Sequence, residues 1–143
     1  IYNCLDLYVM PETLKDDNAW FNAKTNQKEN VNKCINFWSF PEILIISFKR
    51  FNNHMKKINT IITTPTNNLN LSKYVVGYDK ESYIYELFGV CNHSGGCHGG
   101  HYTAFVKNAN NKWYHFNDTS VSEVNENNII TNKGYCYFYK KIK

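Results

Sequence analysis

The chain has 143 residues, is 43% hydrophobic and 16% aromatic, and carries a formal net charge of +4 at pH 7, which suffices for one hydrophobic core. Its 16 basic residues are scattered rather than clustered, so the charge does not favour nucleic acid as a partner. The longest apolar run, Ile43 to Phe48, is far shorter than the roughly 20 residues of a membrane span. The N-terminal residues show no signal-peptide pattern. We therefore expect no membrane partner.

The five cysteines form no regular pattern, and an odd number leaves at least one thiol unpaired. This usage favours free thiols in a reducing compartment over a disulfide framework. We therefore expect an intracellular protein, located in the cytoplasm, the nucleus or both.

The predicted elements give a strand-rich α+β fold with few helices. A short helix is expected from Ile1 to Leu7, ended by Pro11, and an extended finger or loop from Lys15 to Asn32. The polar stretch Asn52 to Asn70 predicts a surface excursion. Five β-branched and aromatic runs predict the strands of an antiparallel sheet: Glu42 to Phe51, Tyr83 to Asn92, His101 to Lys107, Lys112 to Asn117 and Gly134 to Lys141.

The two runs joined by Asn108 to Asn111 predict a β-hairpin that brings His101 opposite residue 117 or 118. A catalytic histidine accepts a proton from a nucleophile on one ring nitrogen and donates to a fixed oxygen from the other. Either Asn117 or Asp118 could supply that oxygen, because a slip of one residue in register changes which side chain faces the ring. From these residues alone, a hairpin with an uninvolved histidine at its end is an equally good interpretation.

Four motifs, in order along nearly the whole chain, resemble those of the ubiquitin-specific proteases, which are papain-like deubiquitinating enzymes. Tyr85 to Asp118 carries Y-x-L-x-x-V-x-x-H-S-G, then G-G-H-Y-T-A, then K-W-Y-x-F-N-D, and closely resembles the histidine box. Phe40 to Phe51 resembles the P-x-x-L-I-I-x-L-K-R-F strand, with Phe48 where leucine is usual. Cys4 to Leu14 and Gly134 to Tyr139 resemble the segments C-L-x-x-(F/Y)…P-E-x-L and A-Y-x-L-F-Y.

The resemblance implies the strand-rich half of a papain-like fold, with an antiparallel palm sheet and part of the fingers. It also implies thiol-dependent hydrolysis of the isopeptide or peptide bond after the C-terminal glycine of ubiquitin. The implied partners are ubiquitin and ubiquitinated proteins, and the reaction needs no cofactor. Arg50, within the matched strand, is expected to anchor the sheet through hydrogen bonds rather than to contact substrate.

Carried over residue by residue, the resemblance makes His101 the general base and Asn117 the residue that orients it. Asp118 matches the acidic neighbour that supports the site, and it also remains a candidate for the orienting role. The resemblance further implies substrate-binding residues beside the C-terminal tail of ubiquitin: Tyr102, Gly99, Gly100 and His93.

The nucleophile of the family lies in an N-terminal box of the G-N-T-C-Y type, and no such pattern occurs in this chain. Cys4 lies in a context that matches a downstream motif instead. We therefore expect residues 1–143 to be the C-terminal portion of the catalytic domain, with the N-terminal half as a partner that supplies the thiolate. Cys97 is an alternative nucleophile four residues before His101, although a glycine loop seldom provides the environment of a low-pKa thiolate.

A metal site is a further alternative, because two cysteines and three histidines lie within eleven residues: Cys91, His93, Cys97, His98 and His101. Their spacing follows no regular zinc-binding pattern, so we expect no metal there. The fingers of many family members bind zinc through paired C-x-x-C motifs. Asn22 and Thr25 stand at the matching positions and are poor zinc ligands, so we expect that site to be metal-free too.

A ubiquitin-binding module without activity is the alternative from another functional class. Resemblance in fold does not prove activity. The presence of both His101 and Asn117 favours the enzyme, because a module that only binds ubiquitin needs neither.

Overall fold

The structure, a computed structural model, describes residues 1–142 apart from the side chain of Lys80. The predicted N-terminal helix is present as α1, Tyr2–Val9, and ends just before Pro11. Four short 3-10 helices lie at Asp16–Asn18, Ser72–Tyr74, Lys80–Ser82 and Glu126–Asn128. The strands among the described residues are β1 Glu12–Leu14, β2 Trp20–Asn22, β3 Gln27–Glu29, β4 Val31–Lys33, β5 Ile43–Ser47, β6 Leu69–Asn70, β7 Ile84–Gly96, β8 Gly99–Lys107, β9 Trp113–Asn117, β10 Ser120–Val124 and β11 Gly134–Lys141.

Seven strands form one sheet in the order β10-β9-β8-β7-β11-β5, and β6 pairs with β7 beside this path. All of these pairs are antiparallel, so the predicted α+β class and antiparallel sheet are confirmed. The strand predicted from Glu42 to Phe51 is shorter, because the chain leaves the ladder after Ser47 and turns through Asn52 to Lys56. Strand β10 was not predicted, because its sequence is polar and largely exposed.

The polar stretch predicted as a finger or loop contains two small antiparallel ladders, β1 with β4 and β2 with β3. At the tip, Asn22 Nδ2 and Thr25 Oγ1 both donate to Oε1 of Glu29, at 2.9 Å and 2.6 Å. Asn22 Oδ1 also accepts a hydrogen bond from the backbone N–H of Lys24. Asn22 and Thr25 are thus joined through one carboxylate.

The hydrophobic core lies against one face of the large sheet. Alternation along β7 and β11, with a bulge in β7 between Leu87 and Gly89, directs the largest buried side chains to this face: Tyr85, Leu87, Val90, Tyr137 and Tyr139. Helix α1 packs partly buried apolar residues against the same core, and its Tyr2 carbonyl accepts a hydrogen bond from Tyr74. None of the helices in residues 1–142 has the length and apolar character needed to cross a membrane.

Two buried anchors connect the stretch Asn52 to Asn70 to the sheet, although most of it lies at the surface as predicted. The Arg50 guanidinium is buried and donates from Nε to the Gly134 carbonyl at 2.9 Å and from Nη1 to the carbonyls of Ile58 and Thr60. The predicted anchoring role of Arg50 is therefore confirmed. The Tyr139 hydroxyl donates to the Pro65 carbonyl at 2.9 Å and shares a hydrogen bond with Thr64 Oγ1.

Removal of the Tyr139 hydroxyl should destabilise the fold, because Tyr139 is 0% exposed and its partners would lose a buried hydrogen bond. We expect Tyr139→Phe to lower the free energy of unfolding by about 1–2 kcal/mol, measured by urea denaturation. Tyr78→Phe is the matched control, because Tyr78 is 80% exposed and packs by its ring on Trp38. Equal stability of the two variants would contradict the anchoring role.

Candidate active site

The hairpin β7–β8 places His101 and Tyr102 on opposite faces of the sheet, because consecutive strand residues point to opposite sides. In its register, His93 lies opposite Tyr102 and Ser94 lies opposite His101. Gly95 and Gly100 are paired beside the turn, and Gly95 has a φ of +130°, which a residue with a side chain rarely adopts. The turn therefore requires the glycine that the sequence places there.

His101 meets Asn117 across the predicted hairpin β8–β9. Asn117 Oδ1 lies 2.6 Å from His101 Nε2, whereas Asp118 Oδ2 lies 4.0 Å from the same nitrogen. Asp118 has a φ of +50° in the turn to β10, and its side chain is 78% exposed. An amide oxygen only accepts hydrogen bonds, so the neutral His101 ring carries its proton on Nε2 and leaves Nδ1 unprotonated.

A cleft of about 380 Å³, the His101 cleft, opens on this face of the sheet. The residues that line it are of polar types apart from Phe105: Asn92, Ser94, His101, Thr103, Phe105, His115, Asn117, Thr131, Asn132 and Lys133. Asn92 is 2% exposed, and its Oδ1 has no hydrogen-bond partner among the described residues. Sequence reasoning missed Asn92 and Thr103. Because residues two apart in a strand lie on the same face, Asn92 could have been placed beside Ser94, and Thr103 beside His101.

A second cleft of about 200 Å³, the Tyr102 cleft, lies on the other side of the hairpin. It is lined by Phe51, His93, Gly96, Cys97, Gly99, Gly100, Tyr102 and Tyr135. The structure thus brings together the four predicted substrate-binding residues. Tyr102 is 55% exposed, but His93 is only 3% exposed and lies beneath it, which leaves little of the His93 side chain for direct contact with a substrate.

The cysteines are all unpaired thiols, and Cys97 lines the Tyr102 cleft rather than the His101 cleft. Residues 1–142 contain no group of three or more His, Cys, Asp or Glu side chains close enough together to hold a metal ion. The thiol of Cys91 is half-buried in the sheet, and burial raises its pKa.

Positive charge lies directly beneath the Tyr102 cleft. Lys57 Nζ lies 3.0 Å from Nδ1 of His93, and burial together with the charges of Arg50 and Lys133 lowers the pKa of Lys57. Burial, and secondly the adjacent Lys57, lower the pKa of His93. Sequence reasoning missed Lys57, because it lies in a polar stretch in which no pattern separates it from its exposed neighbour Lys56.

Comparison with known proteins shows similarity along almost the entire chain. Residues 14–139 match the profile of the family described as "Ubiquitin carboxyl-terminal hydrolase". Ubiquitin carboxyl-terminal hydrolase 10 of Arabidopsis thaliana is 41% identical over 147 residues, covering 100% of this chain and 16% of that protein. Ubiquitin carboxyl-terminal hydrolase 12 of Saccharomyces cerevisiae is 41% identical over 142 residues, covering 96% of this chain and 11% of that protein. The chain therefore spans only a small part of these relatives.

Solved structures of the Ubp8 deubiquitinating module share the fold. The SAGA Ubp8/Sgf11/Sus1/Sgf73 DUB module bound to ubiquitin aldehyde superposes with a TM-score of 0.81 at 30% identity, covering 100% of this chain and 33% of that one. The Ubp8-Sgf11-Sgf73-Sus1 SAGA DUB module gives a TM-score of 0.81 at 31% identity, covering 100% of this chain and 31% of that one. The predicted resemblance is confirmed: the chain belongs to the ubiquitin carboxyl-terminal hydrolase family, to which the ubiquitin-specific proteases belong, and it has the strand-rich half of the papain-like fold.

Proposed function

We propose that this chain supplies the general base and its orienting residue to a deubiquitinase, which hydrolyses the isopeptide or peptide bond after the C-terminal glycine of ubiquitin. The observation that carries this proposal is the 2.6 Å contact between His101 Nε2 and Asn117 Oδ1, beside an open cleft. Family membership supports the reaction class, because the relatives are named as ubiquitin hydrolases.

His101 would act through its unprotonated Nδ1, since Nε2–H is held by Asn117. Nδ1 takes the proton of a cysteine thiol, and the thiolate attacks the carbonyl carbon of the terminal glycine. The imidazolium then protonates the leaving lysine amine as the C–N bond breaks and a thioester forms. A water molecule, deprotonated by Nδ1, hydrolyses the thioester and regenerates the thiol. Asn117 keeps the ring oriented through both half-reactions.

Asp118 would have a secondary role in this arrangement. Its nearest carboxylate oxygen, 4.0 Å from His101 Nε2, lies beyond hydrogen-bonding distance, and its side chain is largely solvated. Solvent screening weakens the attraction between such a carboxylate and a transient imidazolium. Asp118 therefore contributes less to the orientation of His101 than Asn117 does.

The nucleophile would come from outside residues 1–143, in an N-terminal part of the same catalytic domain. Cys97 lines the Tyr102 cleft, whereas His101 opens onto the other cleft. Apolar side chains are exposed on α1 and on the edge strand β5, among them Leu7, Tyr8, Ile43 and Ile45. An exposed apolar surface beside a free strand edge fits a contact with another part of the same protein.

The substrate would be ubiquitin conjugated to other proteins, with its C-terminal tail along the glycine-rich turn. Tyr102, Gly99 and Gly100 are exposed there, and glycine lets another backbone approach closely. A structural neighbour is bound to ubiquitin aldehyde, which supports ubiquitin as the ligand of this fold. A ubiquitin substrate and free thiols fit an intracellular location, in the cytoplasm, the nucleus or both.

Substitution of the site residues in the full-length protein should separate their roles. We expect His101→Ala to lower kcat for cleavage of a ubiquitin C-terminal amide by about 10³-fold, and Asn117→Ala by about 10²-fold, because the first removes the base and the second its orientation. Asp118→Ala should cost less than Asn117→Ala. His54→Ala is the control, because His54 is an exposed histidine that lines neither cleft. Undiminished cleavage by His101→Ala would refute the mechanism.

Reaction with ubiquitin that carries a C-terminal thiol-reactive electrophile, analysed by intact mass, should locate the nucleophile. We expect an adduct with the full-length protein and none with residues 1–143 alone. An adduct on residues 1–143 that disappears in Cys97→Ser would assign the nucleophile to Cys97 instead. If neither sample reacts while ubiquitin still binds, the chain belongs to an inactive ubiquitin-binding module.

A further inference from the structure

Lys57 connects the turn after β5 to the hairpin that carries His101. A β-bridge pairs Phe51 with Lys57 across this turn, and the Arg50 guanidinium anchors the turn to β11 through the Gly134 carbonyl. The Lys57 ammonium donates to the backbone carbonyl of His93 and lies 3.0 Å from Nδ1 of its ring. One side chain thus contacts both the backbone and the imidazole of His93.

These contacts determine the protonation state of His93. An ammonium group has only hydrogens to donate, so Nδ1 must be an unprotonated acceptor and the proton of the neutral ring lies on Nε2. A protonated His93 would place an N–H donor and a second positive charge 3.0 Å from Nζ. A charged Lys57 therefore disfavours protonation of His93.

His93 in turn lies beneath residues that line the Tyr102 cleft, one of which, Gly100, directly precedes His101. Its ring centroid is 4.7 Å from that of Tyr102 and 5.5 Å from that of Tyr135. The backbone of Gly100, next to His101, passes so close that an added Cβ would overlap His93 Nε2 and the Ser94 carbonyl. A shift or rotation of the His93 ring would therefore displace Tyr102 and the segment that leads into His101.

We propose that Lys57 is a positioning residue for ubiquitin cleavage: it holds His93 in its neutral Nε2–H form, and His93 in that form positions Tyr102 and the Gly100–His101 backbone. This inference rests on the proposed function for its effect on catalysis. The effect on His93 itself requires no ubiquitin and can be measured independently.

The inference predicts a specific pH dependence. The titratable groups that surround His93 are Lys57 from the turn after β5, Tyr102 from β8, Tyr135 from β11 and Cys97 in the lining of the shared cleft, while Arg50 and Lys133 act on Lys57. Burial and Lys57 both lower the pKa of His93, so it stays neutral at and somewhat below neutral pH. Without the Lys57 charge this pKa rises, and the protonated form accumulates at a higher pH than in the unmodified protein.

We expect Lys57→Met in the full-length protein to lower kcat/KM for ubiquitin cleavage by up to about 4-fold at pH 6, and by little at pH 8, because the site is misplaced when His93 is protonated and the pKa of an ordinary histidine is about 6.5. The acid limb of the pH profile should move to higher pH. Lys56→Met is the matched control, because Lys56 is the adjacent lysine of the same turn and is exposed. A merely structural role of Lys57 would lower activity equally at all pH values, and that outcome would overturn the inference.

The ring nitrogen resonances of His93, followed by NMR as the pH is lowered, provide the test that does not depend on cleavage. We expect Nδ1 to be unprotonated in the unmodified protein and in Lys56→Met, and the titration of His93 to move to higher pH in Lys57→Met. A proton on Nδ1 at neutral pH in the unmodified protein would refute the inference, even if Lys57→Met failed to fold. If His93 behaves as expected while His101→Ala still cleaves ubiquitin, only the proposed function fails.

Discussion

The pairing of β7 with strands on both of its sides is the constraint on which the rest of the structure depends. β7 spans Ile84–Gly96 and pairs with β8 on one side and with β11 on the other, while β6 adds a short pair near its start. Its register with β8 determines which residues lie opposite His93 and Ser94. Its register with β11 brings Tyr137 and Tyr139 to the core face beside Leu87 and Val90. Core packing and site geometry therefore depend on the same hydrogen-bonded ladder.

Because side chains alternate between the faces of the sheet, the hairpin β7–β8 contributes residues to both clefts. His101 and Asn117 lie on the face where chemistry is proposed, and Tyr102 and His93 lie on the opposite face, next to the proposed path of the ubiquitin tail. His101 and Tyr102 are adjacent in the chain, so one peptide unit joins a residue of each cleft. A displacement of Tyr102 or of the ring beneath it would therefore reach His101 through a single peptide unit, which is the proposed route by which the half-buried Lys57 influences cleavage.

The turn after β5 illustrates how charge supports this arrangement. Arg50 and Lys57 are both directed inward, the first to the Gly134 carbonyl and the second to His93. Buried cations are unfavourable unless they are paired or hydrogen-bonded, and here carbonyl oxygens and one imidazole nitrogen provide the acceptors. In the finger, the carboxylate of Glu29 likewise accepts hydrogen bonds, from Asn22 and Thr25.

The sequence by itself determined the family, the α+β class, the helix α1 and the main strands of the sheet, because hydrophobic alternation and motif order are local properties of the chain. Strand β11 has the predicted bounds, Gly134–Lys141. Strand β10 and the finger ladders escaped prediction, because short polar strands lack that alternation. Only the tertiary structure decided that Asn117, rather than Asp118, lies within hydrogen-bonding distance of His101, since the left-handed turn at Asp118 directs its side chain away. It also decided the place of Lys57, because the contact with His93 joins residues 36 positions apart in sequence.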